Sequence, residues 1–415
     1  DSEWILGMLK KDGHEIVGQI QEADALFINT CGFINDAKKE SIQTILEAIQ
    51  QKKESTYLIV IGCLAKRYKE ELQKEIPEID LIIGVDEYEQ IGHLLNQLLH
   101  SKLSTTWDIN DRVLTSYLPY AYLKIGEGCS NCCAYCAIPL IRGPYYSYPK
   151  ENILKEAHHL IDMGIKELVI IAQDTTRYGK DLYTNYFLED LLEEIAQINP
   201  NVYIRLLYLY PDRITDRLIQ IFKKYDNIFP YFDIPIQHSS DVLLKAMNRT
   251  GNRKIYLDVI QKIKKEIPQA ILRTTIIVGF PNETEQDFLD IQEFLKEIEF
   301  DHVGIFTYSD EENTKAYELK NKIPKRIANQ RKKELLLLQQ KISLKKNQNR
   351  INQTHLVLIE DYDGNNYYGR SYVYAPDDVD GKVIIKSKKK LFIGDEVLVK
   401  ITKAYAYDIE GEAQV

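Results

Sequence analysis

No apolar run in this 415-residue sequence approaches the ~20 residues needed to cross a bilayer. The longest, "YLIVIGCLA" at 57–65 and "ELVIIA" at 167–172, have the length of buried strands. Nothing at the start has the pattern of a signal peptide, so a soluble, cytoplasmic protein without a membrane partner is expected. A basic excess is also lacking: 53 Lys and Arg stand against 62 Asp and Glu, a formal net charge of -9. That balance argues against a binder that grips nucleic acid by broad phosphate neutralisation, and leaves only local basic patches for such a role. Cysteine is scarce, six in all, and in a reducing compartment clustered thiols serve metals or catalysis more often than disulfides.

What is present is enough for two or three cored domains, with 44% hydrophobic and 28% charged residues. "DSEWILGMLKKDGHEI" predicts a helix capped by Ser2 and ended at Gly13, with Trp4, Ile5, Met8 and Leu9 on one face. "ADALFINTCGF", "YLIVIGCLAK" and "IDLIIGV" are strand-like and alternate with helical patterns. The expectation for residues 1–100 is therefore a doubly wound parallel sheet with its first strand missing before Asp1. Residues 101–115 lack periodicity and are expected to be a linker.

From 116 to 349 about six strand–helix units follow, with strands in "YAYLKIG", "ELVIIAQD", "NVYIRLLYLYP", "YFDIPIQ", "LRTTIIVGF" and "HVGIFTYS". Six units in one run suggest a partial β/α barrel, smaller than the eight-unit form. The basic stretch "KRIANQRKKELLLLQQKISLKKNQNR" predicts a connecting helix whose charges form a solvated face around a leucine stripe. Residues 352–415 alternate apolar and polar side chains, with turn signals at Asp363-Gly364 and Gly394-Asp395. A small antiparallel β-barrel with OB-like closure is expected there.

Four of the six cysteines crowd into "GEGCSNCCAYCAIPLIRGP", residues 126–144. Cys129, Cys133 and Cys136 offer three thiolates on a short loop directly after a strand, too few to close a tetrahedral zinc site. Cys132 would add a fourth, but it adjoins Cys133 and side chains of neighbouring residues diverge. A cubane iron–sulfur cluster uses one cysteine per iron, so three cysteines leave one iron open to an outside ligand. Zinc, or four incidental cysteines, are the alternatives at this stage.

"KIGEGCSNCCAYCAIPLIRG" resembles the signature of radical S-adenosylmethionine (SAM) enzymes, and among them the methylthiotransferases: Cys-x3-Cys-x2-Cys, then Ile-Pro and Arg-Gly. The resemblance makes Cys129, Cys133 and Cys136 the cluster ligands, Cys132 a bystander, and Tyr135 the aromatic residue near the adenine of SAM. It extends over the whole chain. "INTCGFINDAKKESI" and "VIGCLAKRY" are similar to cysteine segments of the family's amino-terminal domain, and the closing barrel to a TRAM domain. That domain supplies three cysteines to a second, auxiliary 4Fe-4S cluster; here Cys31 and Cys63 match two of them, and the third falls before Asp1. Each lies just past a strand end, the edge where open α/β sheets hold ligands, although a cysteine there is commonly a small buried hydrophobe.

Several segments are similar to the RimO type, which modifies an aspartate of small-subunit ribosomal protein S-twelve, rather than to the enzymes that modify a tRNA adenosine. They include "IAQDTTRYGKDLY", "IRLLYLYPDRI", "DIPIQHSSDVLLKAMNRTG", "FTYSDEENTKAY" and "GRSYVYAPDDVDG". Charge agrees, since residues 353–415 carry eleven acidic against eight basic side chains, a poor grip on RNA but a suitable one on a basic protein. The run "KSKKK" at 386–390 pulls the other way, as a hairpin tip that solvent alone would explain.

The resemblance implies that SAM chelates the open iron and is cleaved to a 5′-deoxyadenosyl radical, which takes a hydrogen from the β-carbon of the aspartate. The auxiliary cluster would hold the methylated sulfur that is transferred. An electron donor such as flavodoxin or ferredoxin is implied, and S-twelve is met either free or within the ribosome. SAM contacts are expected at strand ends, at Gln173, Asp174, Gln237, Ser239, Ile277 and Gly279, each with a structural alternative: helix cap, core or tight turn. Arg142 and Arg249 are available for carboxylates or for surface salt bridges. A tRNA methylthiotransferase and a non-enzymatic metal-containing RNA-binding protein are the competing functions.

Overall fold

The structure, a computed structural model, describes residues 1–100, 108, 111–115 and 118–414. It divides into two compact units. One comprises Asp1–Ser116, Gly128–Tyr145 and Ser309–Glu318; the other comprises Tyr117–Glu127, Tyr146–Tyr308 and Leu319–Val415.

The first unit is built on strands β1 (Ala25–Thr30), β2 (Tyr57–Gly62) and β3 (Leu81–Gly84), parallel and in that order. Side chains alternate across β2. Leu58 and Val60 pack with Ile45 and Ala48 of α2 (Asn35–Gln51), Leu64 and Ala65 of α3 (Cys63–Arg67) and Leu72 of α4 (Lys69–Glu75). Ile59 and Ile61 pack with Ile5, Met8 and Leu9 of α1 (Ser2–Lys11) and Ile91 and Leu95 of α5 (Ile91–Leu99). Both sheet faces are thus covered, which explains why its strands are apolar throughout.

Two details differ from expectation. Asp1, not Ser2, is the N-cap of α1, and the Ser2 hydroxyl accepts from Asn29 Nδ2 at 2.9 Å. Most of the expected linker lies outside the described residues, but its described end is packed. Arg112 Nη2 meets Glu3 Oε2 at 2.6 Å, and Lys11 Nζ meets Asp111 Oδ2 at 2.7 Å.

In the second unit β4 (Tyr120–Lys124) is followed by a two-residue ladder, β5 (Gly126–Glu127) with β6 (Tyr146–Ser147). Then come β7 (Glu167–Ile171), β8 (Tyr203–Leu206), β9 (Tyr231–Asp233), β10 (Ile271–Val278) and β11 (His302–Thr307). Parallel pairing runs β4-β7-β8 and β9-β10-β11, and Leu209 N donating to the Asp233 carbonyl at 2.9 Å joins the two sets. These are the six strands expected, in a partial barrel. The first unit's loop carries α6 (Ile138–Arg142). Along the barrel run α7 (Lys150–Asp162), α8 (Leu188–Ile198), α9 (Asp216–Lys224), α10 (Asp241–Ala246), α11 (Arg253–Glu266) and α12 (Glu285–Ile298).

The basic helix is α13 (Lys325–Gln348), but its buried stripe is Ala328, Arg331, Leu335, Gln339, Ile342, Ser343 and Asn347, not a run of leucines. Carbonyls receive its polar members: Gln339 Nε2 donates to the Phe300 carbonyl and Ser343 to the Asp301 carbonyl, at 2.9 and 2.8 Å, while Gln339 Oε1 and Arg331 Nε are buried without a partner. The final strands, β12 (Thr354–Tyr362), β13 (Tyr367–Arg370), β14 (Val383–Lys386), β15 (Glu396–Ala404) and β16 (Ile409–Ala413), close a barrel in the order β12-β13-β14-β16-β15. One pairing, β14 with β16, is parallel and the other four are antiparallel. No helix among the described residues is long and apolar enough to cross a membrane.

Candidate functional site

The cysteine loop leaves β5 and returns at β6, so its two ends are tied by the pairing of Gly126 with Ser147 and Glu127 with Tyr146. At its base the backbone is tight. Gly128 has φ +74°, and a Cβ there would stand 2.2 Å from the Pro144 carbonyl oxygen, so only glycine fits. Cys129 N donates to the Gly143 carbonyl at 3.1 Å and Cys136 N to the Cys133 carbonyl at 3.0 Å, which folds the Cys133–Cys136 spacing into a turn.

Cys129 is buried, Cys133, Cys136 and Tyr135 are half-buried, and Cys132 is exposed with φ +51°. None of the six cysteines is in a disulfide.

Cys31 and Cys63 belong to the same unit as the loop. Ser41 of α2 clamps the backbone of Cys31: its hydroxyl accepts from Cys31 N at 3.0 Å and donates to the Cys31 carbonyl at 3.2 Å. A Cβ at Gly32 would lie 2.9 Å from Leu64 N and 3.0 Å from the carbonyl carbon of Cys63, so the two turns are in direct contact. Arg142, in α6 at the end of the cysteine loop, donates to Asp1 Oδ2 at 3.2 Å and to Cys63 Sγ at 3.4 Å. Arg142 thus meets a carboxylate, as its sequence position allows, and in addition a sulfur.

Among the described residues no group of three or more His, Cys, Asp or Glu side chains is gathered closely enough to hold a metal ion. A single zinc would draw its sulfurs to about 2.3 Å from one point. A cubane takes one cysteine per iron, so its thiolates stand at separate corners. In number and chemistry, three thiols on one glycine-hinged loop fit the cubane.

The other expected residues sit at strand ends of the second unit. Past β7, Gln173 carries a buried Oε1 without a hydrogen-bond partner, whereas the Asp174 carboxylate is engaged by Arg213, Thr176 and, at 3.4 Å, Arg177. Past β9, Gln237 has φ +72°; its N–H donates to the Thr275 carbonyl and its carbonyl accepts from Ile277 N, both at 2.8 Å. A glutamine in the left-handed region marks local strain of the kind found at functional sites.

Ser239 is buried with its hydroxyl unpartnered. Past β10, Gly279 has φ +75°, and a Cβ there would meet the Ala328 side chain at 2.5 Å; Ile277 is half-buried. Arg249 is not a surface salt bridge. It is buried, donates to the Pro235 carbonyl and stacks 3.9 Å over the Tyr210 ring.

Three features escape the sequence reading. His238, fully buried between Gln237 and Ser239, accepts from Ser240 N through Nδ1, and burial holds its ring neutral, down to about 4 from an ordinary 6.5. Glu283 accepts from Gly279 N, and burial pushes its carboxyl up to about 7 despite Arg331 3.5 Å away. Glu311, inside the quoted "SDEEN", is buried among cations of α2 and α3. Three adjacent acidic residues, Asp310, Glu311 and Glu312, give no sign of which is buried, and nothing local marks Glu283.

Residues 123–295 match the radical SAM superfamily, a superfamily that carries a 4Fe-4S cluster and SAM; residues 1–84 match uncharacterized protein family UPF0004; residues 351–413 match the TRAM domain. "Ribosomal protein uS12 methylthiotransferase RimO" of Thermoanaerobacter sp. (strain X514) is 47% identical over 421 residues, spanning 99% of this chain and 96% of its own. The protein of the same name from Clostridioides difficile (strain 630) is 47% identical over 99% of this chain and 95% of its own. Among solved structures, the radical S-adenosylmethionine methyltransferase TsrM from Kitasatospora setae, with cobalamin and a 4Fe-4S cluster bound, shares the fold. Its TM-score is 0.53 at 12% identity, over 68% of this chain and 63% of that one.

Proposed function

We propose, from the premise that this chain belongs to the RimO family of ribosomal protein uS12 methylthiotransferases and is a radical SAM enzyme, that it adds a methylthio group to the β-carbon of an aspartate in ribosomal protein uS12. The observation that carries the reading is the Cys129-x3-Cys133-x2-Cys136 loop, hinged at Gly128 and tied at its base, in a chain alike to RimO proteins along nearly its whole length. Cys129, Cys133 and Cys136 hold the SAM-binding cluster, and Cys31 and Cys63 are two ligands of an auxiliary 4Fe-4S cluster. When bound, these groups supply the carbon radical and the methylated sulfur.

This chain's own residues bind and orient. The Gly128 hinge and the Cys133–Cys136 turn present the thiolates with little conformational freedom left to lose. Gln173, Gln237, Ser239, Ile277 and Gly279 line the SAM side at strand ends, Tyr135 meets the adenine, and the carboxylate of Asp174 acts through Arg213. Arg142 places a positive charge at Cys63 Sγ.

Residues 1–100, 116–349 and 352–415 serve as methylthiotransferase, radical SAM and TRAM domains. The TRAM domain, with its acidic excess, receives a basic protein in the cytoplasm, and a flavodoxin or ferredoxin supplies electrons. The test is anaerobic reconstitution with iron and sulfide, then incubation with SAM, reductant and, in parallel, uS12 or tRNA. The expected result is 5′-deoxyadenosine together with a CH2S mass gain on one aspartate of uS12. A gain on tRNA instead, or zinc in the loop and no 5′-deoxyadenosine, overturns the reading.

A further inference from the structure

Residues 309–318, the segment after β11, fold as part of the first unit and join three stretches that carry cysteine. The Ser309 hydroxyl accepts from Asn35 N at the start of α2 at 3.3 Å and donates to Glu311 Oε1 at 2.7 Å. Glu311, whose side chain is 1% exposed, accepts through Oε2 from Lys38 Nζ of α2 at 2.8 Å and from Arg67 Nη1 of α3 at 2.6 Å. The same Arg67 Nη1 donates to the Gly32 carbonyl at 2.9 Å, beside Cys31, and Nη2 donates to the Glu312 carbonyl at 2.9 Å. Further along, Ala316 N donates to the carbonyl of Ala134, between Cys133 and Cys136, at 2.7 Å.

A buried carboxylate is costly unless paired, and one cation would suffice to pair it. Here two converge from separate helices, and one of them continues to the backbone of the Cys31 turn. Burial alone would push the Glu311 carboxyl up, but hydrogen bonds from Lys38, Ser309 and Arg67 outweigh it and hold it below the usual range. Neutralising Glu311 would leave two cations facing each other in a buried pocket, and the rigid guanidinium fork would lose the anchor that aims it at Gly32. The Cys31 turn has little room to shift, because even a Cβ on Gly32 would stand 2.9 Å from Leu64 N and 3.0 Å from the carbonyl carbon of Cys63.

We propose that Glu311 is a positioning residue for the methylthiolation step: by aiming Arg67 at the Gly32 carbonyl, it keeps the Cys31 turn and the Cys63 helix in register with the loop that bears Cys133 and Cys136. The proposal deepens the role given to Cys31 and Cys63 above and rests on it. Glu311→Gln keeps the size and removes the charge. In the reconstituted full chain, the variant is expected to form 5′-deoxyadenosine within about twofold of the parent, while methylthiolated product per 5′-deoxyadenosine falls by about tenfold or more.

A second readout needs no cluster. In the iron-free full chain, amide hydrogen exchange at 31–34 and 63–67 should quicken by about tenfold in the variant and stay unchanged at 58–61 in β2. An unchanged product ratio, an equal fall in both products, or unchanged exchange at 31–34 each overturns the proposal. A parent that makes no methylthiolated product sinks the earlier reading instead, and the exchange arm still decides whether Glu311 holds the turn.

Discussion

Adjacent in the chain, Cys132 and Cys133 differ in surroundings: Cys132, with φ +51°, is exposed and Cys133 is half-buried. Cys132→Ala is therefore expected to keep the iron content and SAM cleavage of the parent, whereas Cys133→Ala loses SAM cleavage and the iron of that one cluster; iron assay and 5′-deoxyadenosine quantitation separate the two. The cysteine spacing was legible because thiol ligands are rare and their intervals characteristic. Glu283 was not, since nothing local distinguishes a buried glutamate from the many exposed ones.

Burial raises the Glu283 carboxyl from an ordinary 4.5 to about 7, so the stability it contributes is fully present below 4.5 and is lost as pH rises through 7. Going from about pH 5 to about pH 8, the parent should lose on the order of 3 kcal/mol relative to Glu283→Gln, read as the difference in urea midpoints. Parallel pH profiles for the two proteins would show that Glu283 is not held neutral.

At the level of elements, strands were the most legible feature, because both faces of β2 and β7 are buried and their sequences are apolar runs bounded by turn residues. Helix α13 was legible in extent but not in packing. Its leucine run straddles the stripe: Leu335 is buried, while Leu336 and Leu337 are exposed and Arg331, Gln339 and Asn347 are inside. Polar residues enter that stripe because specific carbonyls await them, which periodicity does not reveal.

The base of the cysteine loop carries the sharpest prediction at this scale. Gly128→Ala must place a Cβ 2.2 Å from the Pro144 oxygen in a left-handed backbone. The expected loss is about 1–3 kcal/mol in thermal or urea unfolding, together with reduced iron retention. An unchanged midpoint with full iron would show that the loop is not held at this point.

For the molecule as a whole, what the sequence could not show is which distant residues meet. Glu167, fully buried at the start of β7, accepts from Arg205 Nε at 2.6 Å and from Arg370 Nη2 of β13 at 2.8 Å, and Arg370 also meets Glu360 at 2.7 Å. Asp380 accepts from Tyr231 Oη at 2.5 Å and Arg273 Nε at 3.1 Å, and Tyr120 Oη donates to Asp377 at 2.6 Å. Through these contacts the carboxy-terminal barrel is fastened to the partial barrel within one unit, around a cavity of about 320 Å³ lined in part by Tyr122, Asp233, Arg273 and Asp377.

Removing one member of such a network strands buried charge, so Glu167→Gln is expected to destabilise the second unit by about 3–5 kcal/mol in chemical denaturation. A change below about 1 kcal/mol, typical of an exposed pair, would contradict the buried network.

The claim on which the rest depends is that Cys129, Cys133 and Cys136 hold a cubane with one iron open to SAM. Electron paramagnetic resonance of the anaerobically reconstituted, dithionite-reduced chain, recorded before and after addition of SAM, tests it most directly. The account predicts a reduced-cluster signal that changes when SAM is added and whose SAM-sensitive part is missing from Cys133→Ala. A spectrum indifferent to SAM, or the same SAM response in Cys133→Ala, would contradict it.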